Sequence, residues 1–169
     1  YKNGFDIFAA ASFACQHHFS KVIGTARPDD DDIAEIEKFA LSVAQWLSKS
    51  EAKCIEHRNI LAESEVKPYY IPLGEDMQPA KFLKAVPKTV EALCDGCGVC
   101  VKACPVASIS SDYMTITGPC IKCQACVIKC HSGAKYFDDE AFLSHVRMLE
   151  TNYTKRAANF ALIEKTAEV

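Results

Sequence analysis

The chain has 169 residues, of which 49% are apolar and 24% charged, and its net charge is −3. This is the balance of a soluble globular protein, long enough for one ordinary domain or two small ones. No stretch approaches the ~20 apolar residues of a membrane span, and no basic stripe argues for nucleic acid.

In chain order, residues 5–13 (FDIFAAASF) read as a short buried strand. His17 and His18 follow in a loop and read as exposed, while Cys15 and Cys54 read as small buried hydrophobes. Arg27-Pro28-Asp29 then opens a helix, with an aspartate as cap and the acidic run at the positive end of the helix dipole. The helix is predicted from about Asp30 to Ser48, its apolar stripe being Ile33, Ile36, Ala40, Val43, Ala44 and Leu47, flanked by Phe39 and Trp46. Asp29–Asp32 cannot all face one ion, and a first-turn role explains them. A further helix is expected over Glu51–Ile60. An extended linker with Pro68, Pro72, Pro79 and Pro87 then wraps the cysteine-rich module, and Tyr69 and Tyr70 are read as interface packing.

The most telling stretch comes next. Cys94, Cys97, Cys100 and Cys104 stand at spacings of three, three and four, with Pro105 after the last; Cys120, Cys123, Cys126 and Cys130 repeat the pattern, followed by His131. Thiols this close suit a cubane better than a tetrahedral zinc, whose Cys-x-x-Cys pairs usually lie a dozen residues or more apart. A disulfide framework would require very short loops and an oxidising setting. In this iron–sulfur pattern the fourth cysteine of each run serves the other cluster. Two [4Fe–4S] clusters are therefore expected, one on Cys94, Cys97, Cys100 and Cys130, the other on Cys104, Cys120, Cys123 and Cys126. Gly96 and Gly98 would supply positive φ and bring amides close to sulfur.

Cys94 maps on Cys120 and Cys104 on Cys130 with one constant offset, and Thr89-Val90 falls on Thr115-Ile116. A duplicated strand–loop–helix unit with pseudo-two-fold symmetry is expected. Val99, Val101, Ile109, Ile121, Val127, Ile128, Tyr136 and Phe137 are candidates for a dry shell that tunes potential. His131 reads as a substitution rather than a ligand, since the thiol count is already complete. Charges within 89–138 cancel, Glu91, Asp95, Asp112 and Asp138 against Lys102, Lys122, Lys129 and Lys135. Beyond them, Asp139 starts a helix with Phe142, Leu143, Val146 and Leu149 on one side, and a second helical stretch is expected from about Lys155.

Residues 89–138 resemble a bacterial two-cluster [4Fe–4S] ferredoxin. Residues 1–50, with the 5–13 strand, the Gln16-His17-His18-Phe19-Ser20 loop and the Arg27-Pro28-Asp29 helix start, resemble the end of the flavodoxin-like domain in flavodoxin–ferredoxin fusion proteins of anaerobes. The segment 137–143 is similar to that family's tail. The implied fold is α+β: an incomplete flavodoxin-like strand and helix (1–50), a helix and linker (51–88), the two-cluster module (89–138) and a helical tail (139–169). The implied function is low-potential electron transfer between redox partner proteins or to the chain's own flavodoxin-like domain, in the cytoplasm. A homo-oligomer is left open. Two alternatives stay open as well: part of an oxidoreductase containing FMN and iron–sulfur clusters, or an iron–sulfur subunit of a larger redox complex. FMN is expected only where a preceding flavodoxin-like part supplies a phosphate loop; these residues hold none, though His17 and His18 would suit a flavin edge.

Overall fold

A computed structural model describes residues 8–48 and 68–163, which divide into two compact units. The helix expected over Glu51–Ile60 and Cys54 lie outside the described residues.

The first unit takes its described residues from 8–16, 24–48, 68–70 and 155–163. Strand β1 (Ala9–Ser12) pairs antiparallel with β4 (Phe160–Ile163), Ala9 opposite Ile163 and Ser12 opposite Phe160. Helix α1 (Asp30–Ser48) begins with a reciprocal cap: Asp29 Oδ1 accepts the Asp32 amide and Asp32 Oδ2 accepts the Asp29 amide. Asp32 is fully buried and carries a fork from Arg27. Asn159 Nδ2 also donates to Asp32, and Arg156 reaches both Asp29 and Asp32. These bonds hold both carboxyls below the ordinary carboxylate range, the Arg27 bond being the chief cause for Asp32 and the Arg156 bond for Asp29.

The same contacts correct two expectations. The apolar stripe of α1 is rotated: Ile36, Phe39, Val43 and Trp46 turn inward with Asp32, while Ile33, Ala40, Ala44 and Leu47 are exposed. Ring contacts set this face, since Trp46 stacks on Phe8 at 4.3 Å and Phe39 meets Phe13 edge-on at 5.9 Å. Nor do the described residues after Lys155 form a helix; residues 160–163 form β4. With Arg156 and Asn159 tied to the start of α1, the chain arrives alongside β1, and strand pairing overrides local helical preference. Cys15, expected to be buried, is exposed, as are Tyr69 and Tyr70.

The second unit comprises His17–Ile23 and Ile71–Thr154. Strand β2 (Lys88–Thr89) pairs antiparallel with β3 (Lys135–Tyr136), and Lys88 bonds Asp138 at 2.8 Å. Helices α2 (Val99–Ala103) and α3 (Ala125–Ile128) lie between them in sequence, with an Ile109–Ile116 bridge. Helix α4 (Glu140–Asn152) starts where expected, Asp139 accepting the Phe142 amide at 2.9 Å. Its most buried line is Phe142, His145 and Met148 rather than the row through Leu143, Val146 and Leu149. His145 is drawn inside because Nδ1 bonds the Leu73 carbonyl at 2.8 Å and the ring lies flat against Phe82. Phe142 touches the rings of Phe19, Phe82 and Phe137. Ser20 is buried as well and donates to Glu150 at 2.7 Å.

Candidate metal centre

Each cysteine run forms a loop that turns into a short helix. In the first, Gly96 and Gly98 both have φ of 70° immediately before α2. In the second, the same left-handed turns fall on Lys122 (57°) and Gln124 (60°) before α3. Residues with a Cβ pay about 1 kcal/mol or more for this conformation, so the loop geometry is imposed and not merely permitted. The correspondence continues past the helices. Cys104 N–H bonds the Val101 carbonyl and Cys130 N–H the Val127 carbonyl; the Cys104 and Cys130 carbonyls in turn accept from Ala107 and Gly133. The glycines of the first loop are legible in the sequence, but their substitutes in the second are not.

The eight thiols surround two cavities. Cys94, Cys97, Cys100 and Cys130 line one, together with Tyr113 and Lys135. Cys104, Cys120, Cys123 and Cys126 line the other, with Ile109 and Phe137. Pro87 lines the second cavity where Tyr113 lines the first. Between them lies an apolar core of Cys100, Ile109 and Cys126, packed by Val101, Tyr113, Ile116 and Val127. The expected dry shell is thus smaller than the sequence suggested: Ile121 and Ile128 are 58% and 61% exposed, and Tyr136 also faces outward. Tyr113 and Ile116 take their place. Tyr113 sits on a turn held by Asp112, whose carboxylate accepts the Thr115 hydroxyl and the Thr115 and Met114 amides. The Thr115 hydroxyl, first among these, brings Asp112 down to about 2.

Backbone amides approach the sulfurs. Ser108 N–H reaches Cys104 Sγ at 3.3 Å and Lys122 N–H reaches Cys120 Sγ at 3.4 Å. Burial acts to raise the Cys130 thiol, but hydrogen bonds from Ser132 and from the amides of Ser132, Ala134 and Lys135 outweigh it and hold the thiol below its usual value. Cys126 has no such excess of donors. Burial pushes it up to about 11, against a pull from the Lys135 charge. Such a proton leaves when a metal takes the sulfur. His131 Nε2 bonds Asp95 Oδ2 at 2.7 Å, both exposed, and Asp95 Oδ1 accepts the Cys97 amide. The Cys97 amide is the chief cause of Asp95 lying below the ordinary carboxylate range, with His131 adding to it. In the other loop, His17 is half-buried against Phe19 while His18 is exposed. Burial foremost, then the nearby His18 and His145, lowers the His17 value.

Residues 87–110, spanning the first cysteine run, match the family described as 4Fe-4S binding domain. The chain carries an iron–sulfur domain of the ferredoxin type. The mixed helices and small sheet around the cavities make this an α+β ferredoxin-like module whose chemistry is iron–sulfur electron transfer. No curated protein and no solved structure matches the chain. No helix among the described residues is long and apolar enough to cross a membrane.

The residues fit a cubane. Each cavity offers four thiols, the donor set that such clusters take, and N–H groups aimed at sulfur. Gln124 adds a further sign: it lines the second cavity, is buried, and its Nε2 has no hydrogen-bond partner. A buried amide left without a partner is costly, and a sulfide in the cavity would accept its hydrogen.

Proposed function

We propose that the ferredoxin-type domain is a two-cluster, low-potential electron carrier built from a doubled unit. Cys94, Cys97, Cys100 and Cys130 would hold one [4Fe–4S] cluster, and Cys104, Cys120, Cys123 and Cys126 the other. The observation that carries this reading is the grouping of thiols: each cavity takes three from one run and the fourth from the other. The left-handed turns and helices recurring at the same offset support the doubling. A bound cubane supplies one-electron storage. The chain does the remainder: its thiolates anchor, its amides stabilise charge on sulfur, and its apolar core keeps water from the sites. The electrons would be exchanged with redox partner proteins, and the cysteine-bearing module expected over residues 89–138 belongs to the same reading.

Iron and sulfide analysis of anaerobically purified protein tests it. About eight irons per chain are expected, with an electron paramagnetic resonance signal from each reduced cluster. About four irons would remove one cluster.

A second reading, that residues 1–50 close a flavodoxin-like domain of an FMN-containing oxidoreductase, draws on one observation. Ile33, Leu41 and Leu47 of α1 are exposed apolar side chains that a further layer would cover. Flavin retained by the full-length gene product would support it; flavin-free full-length protein would leave the carrier alone.

A further inference from the structure

Lys135 sits where a lysine is least expected. It is 3% exposed, forms half of the β2–β3 ladder opposite Thr89, and lines the first cavity with Cys94, Cys97, Cys100 and Cys130. Its Nζ donates to the Tyr113 carbonyl, which also accepts from Thr89 Oγ1 at 3.1 Å. Among the described residues no carboxylate pairs with it. An ammonium buried against a neutral carbonyl alone is unfavourable, and a nearby negative charge would offset that cost. Lys135 shares the cavity lining with four thiols and with Asp95, whose carboxylate is instead engaged by His131 and the Cys97 amide; its charge is felt at Cys126 of the other set.

We propose that Lys135 is a buried counter-charge to the cluster of the first cavity, placed so that it raises that cluster's reduction potential. The proposal rests on the two-cluster reading above. A cubane bound by four thiolates is an anion, and reduction by an outside donor adds one more negative charge. A fixed cation in a low-dielectric site favours that added charge. The other half of the module is built differently. At the offset that carries Cys94 onto Cys120, Lys135 corresponds to Ile109, which lines the second cavity as a buried aliphatic. The second cavity has Gln124 and Lys122 instead. Gln124 is a neutral donor, weaker than a full charge. Lys122 Nζ bonds the carbonyls of Leu83 and Cys120 near the surface, where solvent screens it. Lys135 lines the first cavity and not the second, which is the ground for expecting its charge to weigh more on the first site and to help set where an electron rests.

The test is an anaerobic redox titration of the full chain, monitored by electron paramagnetic resonance, for wild type, Lys135→Met and Lys135→Arg. In Lys135→Met, with iron still at about eight per chain, one midpoint is expected to fall by at least tenfold in its reduction equilibrium, about 59 mV for one electron. The other should move less, and Lys135→Arg should keep both near wild type. Eight irons with both midpoints unmoved in Lys135→Met would overturn the counter-charge, whereas four irons in wild type would overturn the two-cluster reading instead. Should Lys135→Met fail to hold its iron, nitrogen-15 lysine labelling of wild type decides. One ammonium resonance, absent from Lys135→Arg, must then be shifted by the paramagnetic cluster; if none is, the proposal fails.

Discussion

Cys130 shows how a single residue is turned from its own run to the other. It follows α3, after Lys129 has closed the last helical turn, and its N–H returns to Val127. There it lines the cavity of Cys94, Cys97 and Cys100 rather than that of Cys126. If this placement governs ligation, cysteine variants will pair by phenotype across the runs. Cys130→Ala and Cys94→Ala are expected to lose the same paramagnetic signal and about half the iron, and Cys104→Ala and Cys120→Ala the other signal. Cys130→Ala sharing its loss with Cys120→Ala would contradict the crossed grouping. The thiols were legible in the sequence because spacing and repetition advertise them. Lys135 was not, because a lysine in a short strand reads as a surface residue and only the fold reveals that it is enclosed. Cys15 failed in the opposite sense: nothing in its apolar surroundings signalled exposure.

Among the elements, α4 depends on what reaches it from distant sequence. Its N-cap could be read from Asp139, but its inward face could not, because Phe19, Phe82 and Leu73 select which side is covered. Phe142 is 3% exposed and meets three other aromatic rings. Phe142→Ala is therefore expected to destabilise the second unit by about 3–5 kcal/mol, the usual cost of removing a buried phenylalanine. Chemical denaturation followed by loss of cluster absorbance would measure it. A change below about 1 kcal/mol would mean that these rings are not packed as described. Helix α1 repeats the lesson, with its start written in Asp29–Asp32 and its buried side decided by Phe8 and Phe13.

At the scale of the whole molecule, the order of the chain is not the order of its units. The first unit is assembled from both ends of the described chain, since β1 finds its partner in β4. This pairing escaped the sequence because strands separated by most of the chain leave no local signal, and four residues are too few to show a period. It bears directly on whether residues 1–88 can stand alone. Such a fragment would keep α1 and β1 but lose β4, and with it Arg156 and Asn159. Asp32 and Arg27 would still meet, but the Asn159 bonds to both and the Ala157 carbonyl that accepts from Arg27 would be gone. Of the first unit's described elements the fragment would keep one strand and one helix, which bury too little apolar surface to offset the entropy of ordering the chain. Residues 1–88 are accordingly expected to show no cooperative thermal transition by circular dichroism. In the full chain, Asn159→Ala is expected to lower the melting temperature of the first unit. A sharp transition in the fragment would mean that α1 and β1 find a core without β4, and that the unit's boundaries lie elsewhere.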